Sequence, residues 1–142
     1  MKKNTFWENK NVLITGHTGF KGSWLMALLH RLGANIYGFS LKPDSSNMLF
    51  KEICFENNFK VKSKFEDINN FGELKNFFNF SKPDIVFHLA AQSLVRKSYR
   101  EPINTWNTNV IGSLNVLEAA KLIDKKVSIV VVTTDKVYEN NE

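Results

Sequence analysis

Val12-Leu13-Ile14-Thr15 runs without a break into Gly16-His17-Thr18-Gly19-Phe20-Lys21-Gly22, and that junction constrains the chain more than any other stretch. A short, continuous apolar run suits a strand covered on both faces, as in a parallel sheet. The glycines that follow, spaced G-x-x-G-x-x-G, read as a turn leading directly into a helix. Gly16 permits the tight turn, Gly19 lets the backbone approach a bound diphosphate, and Gly22 lets the helix pack close to the sheet. The helix start then directs free N–H groups and a partial positive charge at phosphate oxygens. No Gly-Lys-Ser/Thr follows, which separates this loop from one that cradles a nucleoside triphosphate. Residues 16–22 therefore read as the phosphate-binding turn of a dinucleotide site.

Beyond the turn, helical and extended patterns alternate to the end of the chain. A helix is predicted from Gly22, with Leu25, Leu28, Leu29 and Leu32 on one stripe and Gly33 as its stop. Residues 35–39 read as a strand and residues 59–61 as a weaker one, with a short helix over 48–55 between them. Asn70 and Glu73 form a capping pair for a helix that turns Leu74, Phe77 and Phe78 inward. Pro83 precedes a buried strand over 84–89, and residues 92–99 read as a polar loop. The longest helical pattern carries Ile103, Trp106, Val110, Leu114 and Leu117, and Gly112 within it implies close packing against a neighbour. A last buried strand is predicted over 127–132. Without an internal repeat or linker, the pattern gives an α/β fold: a Rossmann-type doubly wound parallel sheet of about five strands, order 3-2-1-4-5, in one domain over residues 1–142.

Bulk properties narrow the partners. The 142 residues are 43% hydrophobic and 23% charged, enough for a single buried core. The formal charge of +5 comes mostly from scattered lysines, with Arg31, Arg96 and Arg100 the only arginines. No basic stripe interleaved with aromatics is present, so a nucleic-acid partner is not expected. Cys54 stands alone, which leaves no internal disulfide and no zinc cluster, and no metal site is expected. The polar stretch 4–11 rules out the apolar core of a signal peptide, and the apolar runs fall far short of the ~20 residues of a membrane helix. A cytoplasmic protein without a membrane partner is expected.

The spacing of the glycines and the run of strands and helices around them resemble the extended short-chain dehydrogenase/reductase family through nearly the whole chain. The resemblance implies an NAD-type cofactor. At the end of the second strand, where NAD-binding domains often carry an acidic residue, this chain reads Phe39-Ser40-Leu41-Lys42. Ser40 can bond a ribose hydroxyl and Lys42 can meet a 2′-phosphate, so NAD is expected and NADP stays open. The resemblance implies an adenine contact through Asp67, with Ile68 beside it. His88 reads as a hydrogen-bonded strand residue rather than a catalyst. Leu89, Ala90, Ala91 and Gln92 at the exit of the fourth strand are small enough in part to admit a cofactor, and Thr133 is placed with them. Asn109 matches the helix asparagine that the family uses for structure and proton relay.

Within that family, Phe6-Trp7, the GHTGFKGSW run from Gly16 to Trp24, PDIVFHLAAQ from Pro83 to Gln92, and Ser98-Tyr99 with Pro102 and Trp106 resemble the CDP-glucose branch of the sugar-nucleotide 4,6-dehydratases. That resemblance implies CDP-glucose as the substrate of a full-length enzyme, with Ser93, Ser98 and Tyr99 as candidate substrate contacts, and a homo-oligomeric assembly. The implied cycle takes a hydride from C4 of the sugar to NAD, eliminates water across C5 and C6, and returns the hydride to C6. Thr134 then resembles the group that holds the 4-hydroxyl and Asp135 the acid for the departing C6 hydroxyl. Lys136 stands where other dehydratases place a glutamate base. It serves either as a neutral base with a depressed pKa or as a charged stabiliser of the developing enolate.

The family's Tyr-x-x-x-Lys pair is not found in this chain, since Tyr138 is followed by Glu139-Asn140-Asn141-Glu142. The expectation is thus an N-terminal, cofactor-binding portion without the C-terminal substrate domain, inactive alone, with the 127–132 strand as an open apolar edge capable of self-association.

Overall fold

The computed structural model describes residues 5–43, 48–56, 59, 61–134 and 139. Five parallel strands, β1 (Asn11–Thr15), β2 (Asn35–Ser40), β3 (Lys62–Phe65), β4 (Ile85–His88) and β5 (Ser128–Val131), form one sheet in the order β3-β2-β1-β4-β5. The helices are α1 (Phe20–Arg31), α2 (Met48–Glu56), α3 (Phe71–Ser81), α4 (Val95–Arg100), α5 (Pro102–Trp106) and α6 (Gly112–Lys121). A π-helical turn, Asn107–Ile111, joins α5 to α6. The expected doubly wound architecture and strand order are those observed.

Side-chain alternation along β1 splits the core into two halves. Val12 and Ile14, with Ile36 of β2, pack against Met26 and Leu29 of α1 and Phe50 and Ile53 of α2. Leu13, with Tyr37, Phe39 and Val86, packs on the opposite face against Leu74, Phe77 and Phe78 of α3 and Val116, Ala119 and Ala120 of α6. Register fixes which neighbours meet: Val12 lies opposite Ile36 and Ile85, and Leu13 opposite Tyr37 and Val86. The predicted ends of two helices are also observed. Asn70 Oδ1 accepts from the Glu73 N–H at the start of α3, and Gly33, at φ +89°, follows α1.

Four expectations are corrected. The weak strand predicted over 59–61 falls instead at Lys62–Phe65, and Phe59 is buried ahead of it. Leu28 of the α1 stripe is exposed, and Met26 fills the core in its place. The polar loop of 92–99 is interrupted by the short helix α4. The long helix is not one regular element, and its expected stripe faces outward, with Ile103 at 77% and Trp106 at 63% exposure. A second stripe, Gly112, Val116, Ala119 and Ala120, is the buried one. Both recur at helical spacing, and the smaller side chains face the sheet because they let the helix approach closely. The last strand lies at the edge of the sheet, the open apolar edge expected of it, with Val130 and Val131 each about half covered.

His17 belongs to the core rather than to the surface of its loop. Its ring is fully buried, stacks on Phe65 at 5.9 Å, and lies edge-on to Phe50 at 5.3 Å. Nε2 pairs with Ser63 Oγ at 2.9 Å and Nδ1 with Ser40 Oγ at 3.1 Å. Gly38 makes room for it, since a Cβ there would stand 2.3 Å from the imidazole.

Two predictions test this packing. A Cβ on Gly112 would meet Ile68 Cγ2 at 2.6 Å. Gly112→Ala should therefore destabilise the fold by about 1–3 kcal/mol in urea titration despite alanine's better helix propensity; a gain in stability would show that Ile68 gives way freely. Burial lowers the His17 pKa from 6.5 to about 4. The unfolded chain then binds the extra proton first, so stability is complete above pH 6.5 and falls as the pH drops towards 4, by ~3 kcal/mol at most. His88 acts in the same sense, its pKa lowered by burial. Unfolding midpoints measured between pH 7 and 4 should show the slope, and His17→Gln should reduce it.

Candidate functional site

A cleft of about 610 Å³ opens at the carboxyl ends of the strands, between the β1–α1 loop and the exits of β2, β3 and β4. Parallel strands place their free carbonyl ends and following loops on one rim, and the crossing from β1 to β4 leaves a crevice there. Gly16, Thr18, Gly19, Phe20, Lys21 and Gly22 line its floor. Phe39, Ser40, Leu41 and Lys42 border it after β2, and Glu66, Asp67 and Ile68 after β3. Leu89, Ala90, Ala91 and Ser93 form the wall after β4, with Thr108 of the π-helical turn and Val132 and Thr133 beyond β5.

The glycines differ in what they make possible. Gly16, at φ +72°, brings the loop so near the β4 exit that a Cβ would lie 2.8 Å from the Ala90 nitrogen. A Cβ on Gly22 would lie 2.2 Å from the Gly16 carbonyl oxygen, so the helix start and the turn touch backbone to backbone. Gly19 is different: its backbone angles, φ −73° and ψ 167°, suit any residue, and an added Cβ would meet only the Gly16 oxygen, at 3.3 Å. Its bare face borders the cleft. The start of α1 carries no side-chain cap and no acidic residue in its first turn. Donors without a competing carboxylate, beside an open glycine face, fit the diphosphate of a dinucleotide.

At the β2 end, the Ser40 hydroxyl is already engaged. It lies 3.0 Å from Thr18 Oγ1, 3.1 Å from His17 Nδ1 and 3.1 Å from the Leu41 carbonyl. Ser40 thus borders the cleft as part of a preset hydroxyl pair, while Lys42 stands exposed beside it and Glu66 and Asp67 face it from β3. Asp67 Oδ1 accepts from the Asn69 N–H at 2.8 Å, which fixes the carboxylate at the rim.

At the β4 exit, Thr15 Oγ1 accepts from the N–H groups of Leu89 and Ala90, both at 3.2 Å. The same hydroxyl lies 2.7 Å from His88 Nδ1, and His88 Nε2 lies 2.8 Å from Ser113 Oγ on α6. Further along, the Asn109 side chain clasps the Gln92 backbone on both sides, accepting from its N–H at 2.8 Å and donating to its carbonyl at 3.1 Å. Gln92 in turn reaches Thr105 Oγ1 and the Leu94 carbonyl through Nε2.

The cleft therefore gathers most of the expected cofactor residues, but not all. His17 turns its ring into the core, and Gln92 and Asn109 brace the β4 wall from behind. Of the expected substrate residues, Ser93 lines the cleft. Ser98 caps its own helix turn by donating to the Val95 carbonyl, and Tyr99 is 84% exposed on α4. Thr134 is exposed just beyond Thr133, outside the lining, and Asp135 and Lys136 lie outside the described residues. Sequence reasoning missed Thr108 and Val132 as lining residues and Thr15 and Ser113 as braces. The hydroxyl of Thr15, at the end of an otherwise apolar strand, was the available signal for one of them.

The sequence matches the family model described as GDP-mannose 4,6 dehydratase over residues 13–142. CDP-glucose 4,6-dehydratase of Salmonella typhimurium is 43% identical over 142 residues, which is all of this chain and 39% of that protein. GDP-mannose 4,6-dehydratase of Vibrio cholerae serotype O1 is 32% identical over 139 residues, covering 92% of this chain and 37% of its own length. The solved UDP-glucose-4-epimerase of Stenotrophomonas maltophila, with bound NAD and formylated UDP-arabinopyranose, superposes with a TM-score of 0.81 at 25% identity, over 94% of this chain and 40% of that one. The chain thus spans about two-fifths of the length of these relatives. With a five-stranded parallel sheet, a glycine-lined cleft at its carboxyl rim and a family match that runs from β1 to the last residue, the chain belongs to the GDP-mannose 4,6-dehydratase family.

Proposed function

We propose that this chain is the cofactor-binding portion of a sugar-nucleotide 4,6-dehydratase that acts on CDP-glucose with NAD as a recycled hydride carrier. The observation that carries the reading is the margin in identity: 43% to the CDP-glucose enzyme over the whole chain, against 32% to the GDP-mannose enzyme. The diphosphate of the cofactor would lie against Gly19 and the start of α1, with the adenosine end between the Ser40 rim and Asp67. No carboxylate ends β2, so Ser40 and Thr18 meet the ribose and Lys42 keeps NADP within reach of the site.

A nicotinamide held in the cleft supplies the acceptor for the C4 hydride and its donor back to C6. The chain's own part is to hold and exclude. Ala90, Ala91, Val132 and Thr133 line the cleft, and the small side chains of the two alanines would leave room for a nicotinamide ring beside the sheet. In this reading Thr134, next in the chain after Thr133, would hold a sugar hydroxyl, and Asp135 would be the acid for the departing C6 hydroxyl. Lys136 acts on C5, as neutral base or as a charge that stabilises the enolate. The elimination would take one proton from C5 and the hydroxyl from C6 as water, leaving a C5–C6 double bond; the hydride returned to C6 and a proton returned to C5 would then saturate it, with no net change in the cofactor.

Gly19 offers a variant that separates binding from folding. Its backbone suits alanine, and an added Cβ would meet only the Gly16 carbonyl oxygen, at 3.3 Å, beside the cleft. Gly19→Ala should leave the unfolding midpoint nearly unchanged and weaken NAD binding roughly 10-fold or more, read by calorimetry or by the fluorescence of Trp24. Equal NAD affinity in variant and parent would remove the diphosphate from this position. For the substrate, the gene product that contains this chain should convert CDP-glucose in preference to GDP-mannose without net consumption of NAD. Turnover of GDP-mannose alone would overturn the CDP-glucose assignment.

A further inference from the structure

The bonds around the β4 exit form a closed circuit. Starting from Thr15, they pass through the N–H groups of Leu89 and Ala90, along the backbone to Gln92, across to Asn109, from the Asn109 carbonyl to Ser113 Oγ at 2.7 Å, and through His88 back to Thr15. Donor counting gives the circuit a direction. Thr15 Oγ1 already accepts two N–H groups, so its own proton points to His88 Nδ1. Nδ1 therefore accepts, and the ring proton sits on Nε2. Nε2–H donates to Ser113 Oγ, whose proton passes to the Asn109 carbonyl. No member of the circuit is left with two donors or two acceptors face to face.

Its place in the fold explains what it could do. Residues 89–92 run past the end of β4, where the one backbone bond to the sheet is from the Leu89 N–H to the Thr15 carbonyl at 3.2 Å, yet Leu89, Ala90 and Ala91 form a wall of the cleft. Thr15 pins one end and Asn109 the other. Asn109 sits in the π-helical turn, where Gly112 N–H reaches back to the Asn107 carbonyl and the helix has a wider, less regular bonding pattern. Such a turn needs an external brace, and Ser113, held by His88, bonds within it.

We propose that His88 is a positioning residue: through Thr15 and Ser113 it locks the strand end to the π-helical turn, and so sets residues 89–92 as a finished cleft wall before any ligand arrives. The assignment rests on the reading of the cleft as a dinucleotide site for its purpose, but not for its geometry. His88 is not among the residues that line the cleft, and its imidazole transfers no proton to a ligand. It works by satisfying one hydroxyl on each side, which apolar packing of the same volume could not do.

Nuclear magnetic resonance on the whole labelled chain, without cofactor, tests the circuit directly. His88 should show the Nε2–H tautomer with a ring proton in slow exchange. Ser113→Ala should expose that proton and shift the Gln92 backbone amide and the Asn109 side-chain amide, whereas Ser113→Thr, which keeps the hydroxyl, should preserve all three signals. NAD affinity should fall about 3- to 10-fold in Ser113→Ala, the range one hydrogen bond is worth, and recover in Ser113→Thr. An Nδ1–H tautomer overturns the proposal, as does an unmoved Gln92 amide in Ser113→Ala or an equal effect of both variants. If the parent chain fails to bind NAD while the tautomer and the Gln92 shift behave as expected, the dinucleotide reading fails and the brace stands.

Discussion

Backbone contact at the head of β1 is the constraint on which the rest depends. Gly16 approaches Ala90 on one side and Gly22 on the other at distances that leave no room for a Cβ. This contact turns the chain sharply enough for α1 to start against the sheet, and it draws the β4 exit beside the turn. A side chain at either glycine would push the helix start away from the sheet or the β4 wall away from the loop. The crevice, its phosphate-facing donors and the place of Ala90 in its wall are thus one feature, seen from three elements.

The fold was legible because its strands announce themselves. Val12-Leu13-Ile14 and Ile85-Val86-Phe87 are too short and too apolar to be anything but strands covered on both faces, and the helical patterns between them imply crossovers of one hand. The facing of the last helices was not legible. Ile103, Trp106, Val110, Leu114 and Leu117 and the buried set of Gly112, Val116, Ala119 and Ala120 have equally good helical spacing. Periodicity detects a stripe, and here the closeness permitted by glycine and alanine outweighed the size of the larger side chains. The π-helical turn, set by bonding across the helix and not by composition, left no trace in the pattern.

Of the site, sequence carried what backbone shape requires and lost what side-chain direction decides. Gly16, Gly19 and Gly22 could be assigned separate duties because each answers a steric demand. His17 and Asn109 could not be placed, since nothing in their spacing says whether they face a ligand or the interior. Both turn out to hold other parts in position: His17 beneath Ser40, Asn109 behind Gln92. Hydrogen-bonding residues near a cleft often serve its walls, and the network of hydroxyls around Ser40 and Thr15 belongs to that class.

The pairing of His17 with Gly38 reaches beyond this molecule. The two positions are 21 residues apart in the chain and share one small volume, filled by an imidazole from the first and left empty by the second. Neither can change freely by itself: a larger residue at 38 is admissible only after the ring at 17 has gone, and losing the ring leaves a void with the Ser40 and Ser63 hydroxyls turned towards it. Across descendants of this fold, the two sites should therefore drift as a unit, with histidine at one predicting glycine at the other.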